Sequence, residues 1–149
     1  MVEMAKQTGD MFTGTLAQRL AAELFRRGIF QERLPRLRAF YQARRNAMVA
    51  ALQRHLPDGR WNSPWGGFFI WLELPEGLDA EELLESAIEA GVAYVPGAPF
   101  YASGDGQAAN VTSTARLAFS RETEADIARG VERLGSVVAK MRRKVAQTL

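Results

Sequence analysis

The hydrophobic positions change period part-way along the chain. Leu16, Leu20 and Leu24, with Ala21 beside them, recur at helical spacing and predict a helix over residues 15–27, stopped by Gly28. Leu37, Tyr41, Met48, Leu52 and Leu56 form a second stripe and predict a longer helix from about Leu34 to about Leu56. Arg38, Arg45 and Gln53 lie off that stripe. Pro35 falls in the first turn on this reading, where a missing N–H breaks no helical bond. Pro57-Asp58-Gly59 reads as a turn, and after it the period drops to two. Arg60–Asn62 fits a short strand and Gly67–Leu74 a better one. In the second, Phe68, Ile70, Leu72 and Leu74 point one way and Phe69, Trp71 and Glu73 the other. Both faces are largely apolar, so helices or another domain are expected on each side.

The helical period returns in "GLDAEELLESAIEAG". Asp79 is placed as an N-cap with Glu82 three residues on, as in a capping box. Ala80, Leu83, Leu84, Ala87 and Ile88 make the apolar face, and Gly91 ends the helix. "VAYV" (92–95) reads as a strand broken by "PGAP". Residues 96–114 form a Gly/Ala/Ser-rich loop, long for a compact domain and of the kind that is often functional or mobile. "TARLAFS" (114–120) is a strand with Ala115, Leu117 and Phe119 on one side and Arg116, Ala118 and Ser120 on the other. A last helix carries Ile127, Val131, Leu134, Val138 and Met141, capped by Ser120 or Thr123. The elements predict an α+β layered domain, a small sheet with helices packed on it.

Composition narrows the chemistry. The chain has 149 residues, enough for one domain with a real core, and its 47% hydrophobic and 24% charged residues are ordinary for a globular protein. Net charge is only +2, and no long basic stripe forms. The densest cluster, Lys140, Arg142, Arg143 and Lys144, reads as a solvated tail, so no nucleic-acid partner is expected. Cysteine is absent, which excludes disulfides and thiolate chemistry. No run is apolar and long enough for a membrane span, and residues 1–9 lack the apolar segment of a signal peptide. A cytoplasmic location is the expectation.

Few groupings of residues carry chemistry. His55 is the only histidine and reads as a surface residue near a helix end, so no triad or zinc site is expected. Glu81, Glu82 and Glu85 read as the wet face of their helix. "SGDGQAA" (103–109) superficially resembles a phosphate loop but lacks its lysine. Trp61, Trp65, Phe68, Phe69 and Trp71 lack interleaved basic residues and read as core rather than as a base-stacking surface. Arg116 stands apart. An arginine inside a strand is either exposed on an edge or held for a planar anion, to which the guanidinium fork offers two parallel hydrogen bonds.

"GRWNSPWGGFFIWLELPEGLDAEELLESAIEAGVAYVPGAPFY", the long loop, and "ARLAFS" with its final helix together resemble the C-terminal small domain of the fold type I, class I/II, pyridoxal-phosphate-dependent aminotransferases. The nearest look is to the 2-aminoadipate aminotransferase group and to the aminotransferase-like domains of MocR-type regulators. "RLRAFYQARRNAMVAALQRHLP" resembles the long helix joining that family's two domains. The resemblance implies a mainly antiparallel sheet, with residues 1–28 a remnant of the large-domain or linker helical segment and residues 29–149 the small domain. It gives Pro64, Gly66, Gly67 and Phe68 as a turn into a strand bordering the active-site cleft. It gives Arg116 as the arginine that binds the substrate α-carboxylate. The family's Asn-x-x-Arg-Leu pattern is met by Arg116 and Leu117 but not by Ser113; the nearest asparagine is Asn110, which implies a small insertion in the preceding loop.

The resemblance also implies pyridoxal 5'-phosphate as cofactor, with its aldimine lysine and supporting groups in a large domain upstream. Lys6 falls after that lysine in the pattern and is not assigned. No residue is assigned to catalysis, to the cofactor or to a metal. The expectation is a C-terminal segment of an amino-acid aminotransferase, inactive by itself. Its implied partners are an amino acid or 2-oxo acid substrate, the large domain of the same protein and a second copy in a homo-oligomer such as a dimer. The alternative is the effector-binding module of a MocR-type regulator.

Overall fold

The computed structural model describes residues 2–9, 14–101 and 111–147. The chain divides into two compact units, residues 1–39 and 40–149.

The first unit holds α1 (Val2–Gly9), α2 (Thr15–Arg26) and the beginning of α3 (Ile29–His55). α2 matches its predicted span. It buries none of its residues, and Leu16, Leu20, Leu24 and Phe25 are exposed. Glu23 pairs with Arg26 at 2.6 Å and Arg27 at 2.7 Å, and these two guanidinium groups hold its carboxyl below the usual range. Gly28, at φ +72°, reverses the chain as expected of a C-terminal glycine.

α3 departs from its predicted start. It begins at Ile29 rather than near Leu34, which puts Pro35 inside the helix rather than in its first turn. The start is fixed by the Gly28 turn, whose carbonyl accepts from the Glu32 N–H at 3.1 Å. Across the same turn Phe30 stacks on Phe25, with ring centroids 4.7 Å apart. The price of the early start is one helical bond, because Pro35 has no N–H.

In the second unit β1 (Arg60–Trp61), β2 (Phe69–Glu73), β3 (Val95–Pro96) and β4 (Thr114–Ala118) form one antiparallel sheet in the order β1-β2-β4-β3. One face carries Ile70, Leu72, Ala115 and Leu117, all buried, and Phe119 continues it past β4. Against these pack Met48, Ala51 and Leu52 of α3, Ala80, Leu83 and Ala87 of α4 (Ala80–Glu89), and Ile127, Val131, Leu134 and Val138 of α5 (Glu124–Ala146). Each large aliphatic side chain removed from water here contributes roughly 1.5–3 kcal/mol.

The helix caps follow the sequence. Asp79 Oδ1 accepts from the Glu81 and Glu82 N–H groups at 2.7 and 3.2 Å. Thr123, not Ser120, caps α5 by accepting from the Asp126 N–H at 3.2 Å. Gly91 ends α4 at φ +79°. Ile88 is an exception to the predicted apolar face, since it is 55% exposed.

The predicted strand 92–95 is reduced to Val95–Pro96, with Pro96 paired to Ala115 rather than breaking the strand. β3 is the sheet edge, where a proline is tolerated because one side of the strand has no ladder bonds to lose. The sequence expects helices or another domain on each sheet face; among the described residues of this unit, helices pack on one face. The core reading of the aromatic group holds in part: Trp61 packs against the core, whereas Trp65, Phe68 and Phe69 are exposed, Trp65 completely.

Candidate carboxylate-binding site

Arg116 is the middle residue of β4, paired with Trp71 of β2 on one side and Val95 of β3 on the other. Strand alternation sends Leu117 into the core and Arg116 to the opposite face. Trp71 shares that face, and so does Phe69 two residues earlier on β2. β3 leads into a single 3-10 turn, Ala98–Phe100, which carries Phe100 and Tyr101 back over the sheet.

The ring of Phe69 lies 4.4 Å from the Arg116 guanidinium carbon and that of Phe100 lies 4.6 Å from it. Trp71 meets Phe100 edge-on at 5.7 Å between centroids and Tyr101 at 5.9 Å. Among the described residues Arg116 Nε is buried without a hydrogen-bond partner, and no acid pairs with the guanidinium. Ring faces attract a guanidinium without occupying its N–H groups, so the Nη donors of Arg116 stay suited to a planar anion.

The turn at residues 64–68 is built as its glycines suggest, with Gly67 at φ +84°. The Pro64 carbonyl accepts from Arg45 Nη1 at 3.0 Å. Among the described residues, a Cβ at Gly66 or Gly67 would meet nothing within 4 Å.

The remaining sequence candidates do not gather here. His55 ends α3, half-buried, with its carbonyl oxygen against Gly135 of α5. Glu81, Glu82 and Glu85 lie exposed on α4. Arg142 pairs with Asp58. Residues 103–109 and Asn110 lie outside the described residues; the Ser113 carbonyl accepts from the Leu74 N–H at 2.8 Å. Among the described residues no group of three or more His, Cys, Asp or Glu could hold a metal ion. Sequence reasoning missed Phe100 and Tyr101, which stand inside the stretch read as a Gly/Ala/Ser-rich loop. The available signal was the "PFY" run directly after the Pro96-Gly97 break.

No family model matches the chain. It is 46% identical over 132 residues to the 2-aminoadipate transaminase of Thermus thermophilus, covering 88% of this chain and 32% of that protein. Its fold matches LysN, the α-aminoadipate aminotransferase of the same organism complexed with N-(5'-phosphopyridoxyl)-L-leucine, with TM-score 0.78 and 42% identity over 94% of this chain and 35% of that one. It matches the Pyrococcus horikoshii kynurenine aminotransferase with TM-score 0.82 and 40% identity, covering 93% and 33%. This chain belongs to the aminotransferase family. It spans about a third of the length of the curated relatives it matches. An HTH-type transcriptional regulator of Bacillus subtilis is similar at 28% identity, covering 91% of this chain and 27% of that protein.

The phosphopyridoxyl group of LysN raises the question of whether this aminotransferase segment could itself hold such a cofactor. A Schiff-base lysine needs a desolvated amine. Lys6, Lys140 and Lys144 are the chain's lysines, and all three are exposed, on α1 and α5. The residues present do not fit a pyridoxal phosphate site. Among the described residues no helix is long and apolar enough to cross a membrane.

Proposed function

We propose that this chain is the small-domain part, residues 29–149, of a pyridoxal-phosphate-dependent amino-acid aminotransferase, and that Arg116 binds the substrate α-carboxylate. The observation that carries the reading is the Arg116 guanidinium, held between aromatic rings with no acidic partner among the described residues. A carboxylate approaching its outer edge would accept two parallel charge-assisted hydrogen bonds. The rings keep water from one side of that pair, which strengthens it.

Residues 1–28 are proposed to belong to the linker toward a large domain, which would supply the cofactor-binding lysine. A cytoplasmic homodimer is the assembly proposed for the whole protein. The regulator reading is secondary, since the similarity to enzymes is higher than the 28% to the HTH-type protein. A helix-turn-helix domain encoded in frame upstream would reverse that order.

The test is kinetic, in the whole aminotransferase carrying this segment. Arg116→Ala should lower kcat/KM for the amino acid by the equivalent of roughly 2–5 kcal/mol, with cofactor affinity nearly unchanged. Arg116→Lys should restore only part, because an ammonium is a point charge without a fork. Near-wild-type kcat/KM in both variants would remove the carboxylate role.

A further inference from the structure

We propose that Phe69 and Phe100 are positioning residues for Arg116, fixing its guanidinium so that the Nη edge faces the ligand. The inference rests on the carboxylate role of Arg116 and extends it to residues that never touch the carboxylate.

An arginine on an open sheet face has several rotatable bonds and would sample many orientations. Here its freedom is removed by rings rather than by hydrogen bonds. Phe69 comes from β2, on one flank of β4, and Phe100 from the turn after β3, on the other. Both rings lie within 4.6 Å of the guanidinium carbon. Among the described residues Nε is buried without a partner, so none of them orients the side chain by a bond there. Ring faces attract a cation without occupying its N–H groups. The arrangement therefore orients the group and leaves its donors for the ligand.

Phe100 is itself held by a contact that only glycine permits. The Gly97 N–H donates to the Thr114 carbonyl at 2.7 Å, and the Phe100 N–H donates to the Gly97 carbonyl at 2.9 Å. A Cβ at Gly97 would lie 2.8 Å from Trp71 Cζ2 and would overlap the Thr114 hydroxyl. Gly97 thus lets the turn seat tightly on β4, and Trp71 meets the Phe100 ring edge-on at 5.7 Å.

The test reads the arginine side chain directly, by nitrogen-15 NMR of the 149-residue chain. Arg116 Hε is expected upfield of the other arginines, from the two ring currents, and slow to exchange. Phe69→Leu and Phe100→Leu should each move it toward the common position, while Phe69→Tyr and Phe100→Tyr should keep it shifted. Titration with acetate should perturb Arg116 in the wild type and in both tyrosine variants with the same dissociation constant. Binding should be weaker by roughly threefold in each leucine variant.

An Arg116 Hε at the common position in the wild type, exchanging as fast as surface arginines, overturns the clamp whether or not any variant folds. Leucine variants that bind acetate as tightly as wild type overturn it as well. Arg116→Gln reads the underlying site separately. Acetate binding that survives that change, or is absent from the wild type, sinks the carboxylate reading, whereas its loss in Arg116→Gln alone, with leucine variants unaffected, sinks only the clamp.

Discussion

Two glycines in one helix should respond differently to alanine. Gly130 and Gly135 both lie in the interior of α5. A Cβ at Gly130 would meet nothing within 4 Å, so Gly130→Ala gains helix propensity without a clash, roughly 0.8–1 kcal/mol of stabilisation. A Cβ at Gly135 would lie 2.5 Å from the His55 carbonyl oxygen, 3.0 Å from His55 Cβ and 3.2 Å from its carbonyl carbon. Two of these atoms are backbone at the end of α3 and cannot rotate away. Overpacking of this kind costs typically about 1–3 kcal/mol, and the propensity gain offsets only about 1 of it. Both substitutions remove the same unfolded-state freedom, so the difference between them isolates the packing cost, about 1–3 kcal/mol. With a urea dependence of about 1–2 kcal/mol per molar, the two unfolding midpoints should differ by on the order of 1 M, Gly130→Ala lying above wild type and Gly135→Ala below Gly130→Ala. Circular dichroism at the helix band follows the transition. Equal midpoints in the two variants would refute the reasoning, because they would mean that α5 and the end of α3 are not in contact at Gly135.

Alkaline pH should destabilise the second unit through Tyr94. Burial, with the charge of Asp79 adding to it, pushes the phenol well above its ordinary value near 10, and its hydroxyl donates to the Ala80 carbonyl at 2.7 Å. A raised folded value means stability that is intact below about pH 10 and lost above it, as the unfolded chain releases the proton first. Tyr94→Phe should flatten that part of the stability–pH curve, and an unchanged slope would refute the assignment. The chain by itself should not transfer amino groups. After incubation with pyridoxal phosphate and borohydride, labelling should scatter over the exposed lysines, and one stoichiometric lysine adduct with measurable transfer would contradict this. Self-association is expected from the exposed Leu16, Leu20, Leu24 and Phe25 of the first unit, an apolar stripe that monomers rarely leave open. Sedimentation showing a clean monomer at high concentration would count against it.

What the sequence determined by itself is whatever depends on neighbours within a turn or two. The Asp79 and Thr123 caps, the Gly28 and Gly91 stops, the buried face of α5, and the alternation that turns Leu117 inward and Arg116 outward are all set by helical or strand periodicity over a few residues. Arg116 could be singled out for the same reason, since a charge between apolar strand neighbours is visible in seven letters. The surroundings of that arginine were decided only by tertiary structure. Phe69, Phe100 and Arg116 converge because β4 inserts between β2 and β3, and nothing local encodes that order. The aromatic residues of β2 read as core because no basic residues are interleaved with them, yet the helices of this unit pack on one face alone. Pro96 read as a break because the pattern cannot show that its strand is an edge. The start of α3 was misplaced because a stack between Phe25 and Phe30, made possible by one positive φ at Gly28, outweighed the signal of Pro35. In each case the deciding contact joins residues whose proximity follows from chain reversal or strand pairing, which hydrophobic periodicity does not record.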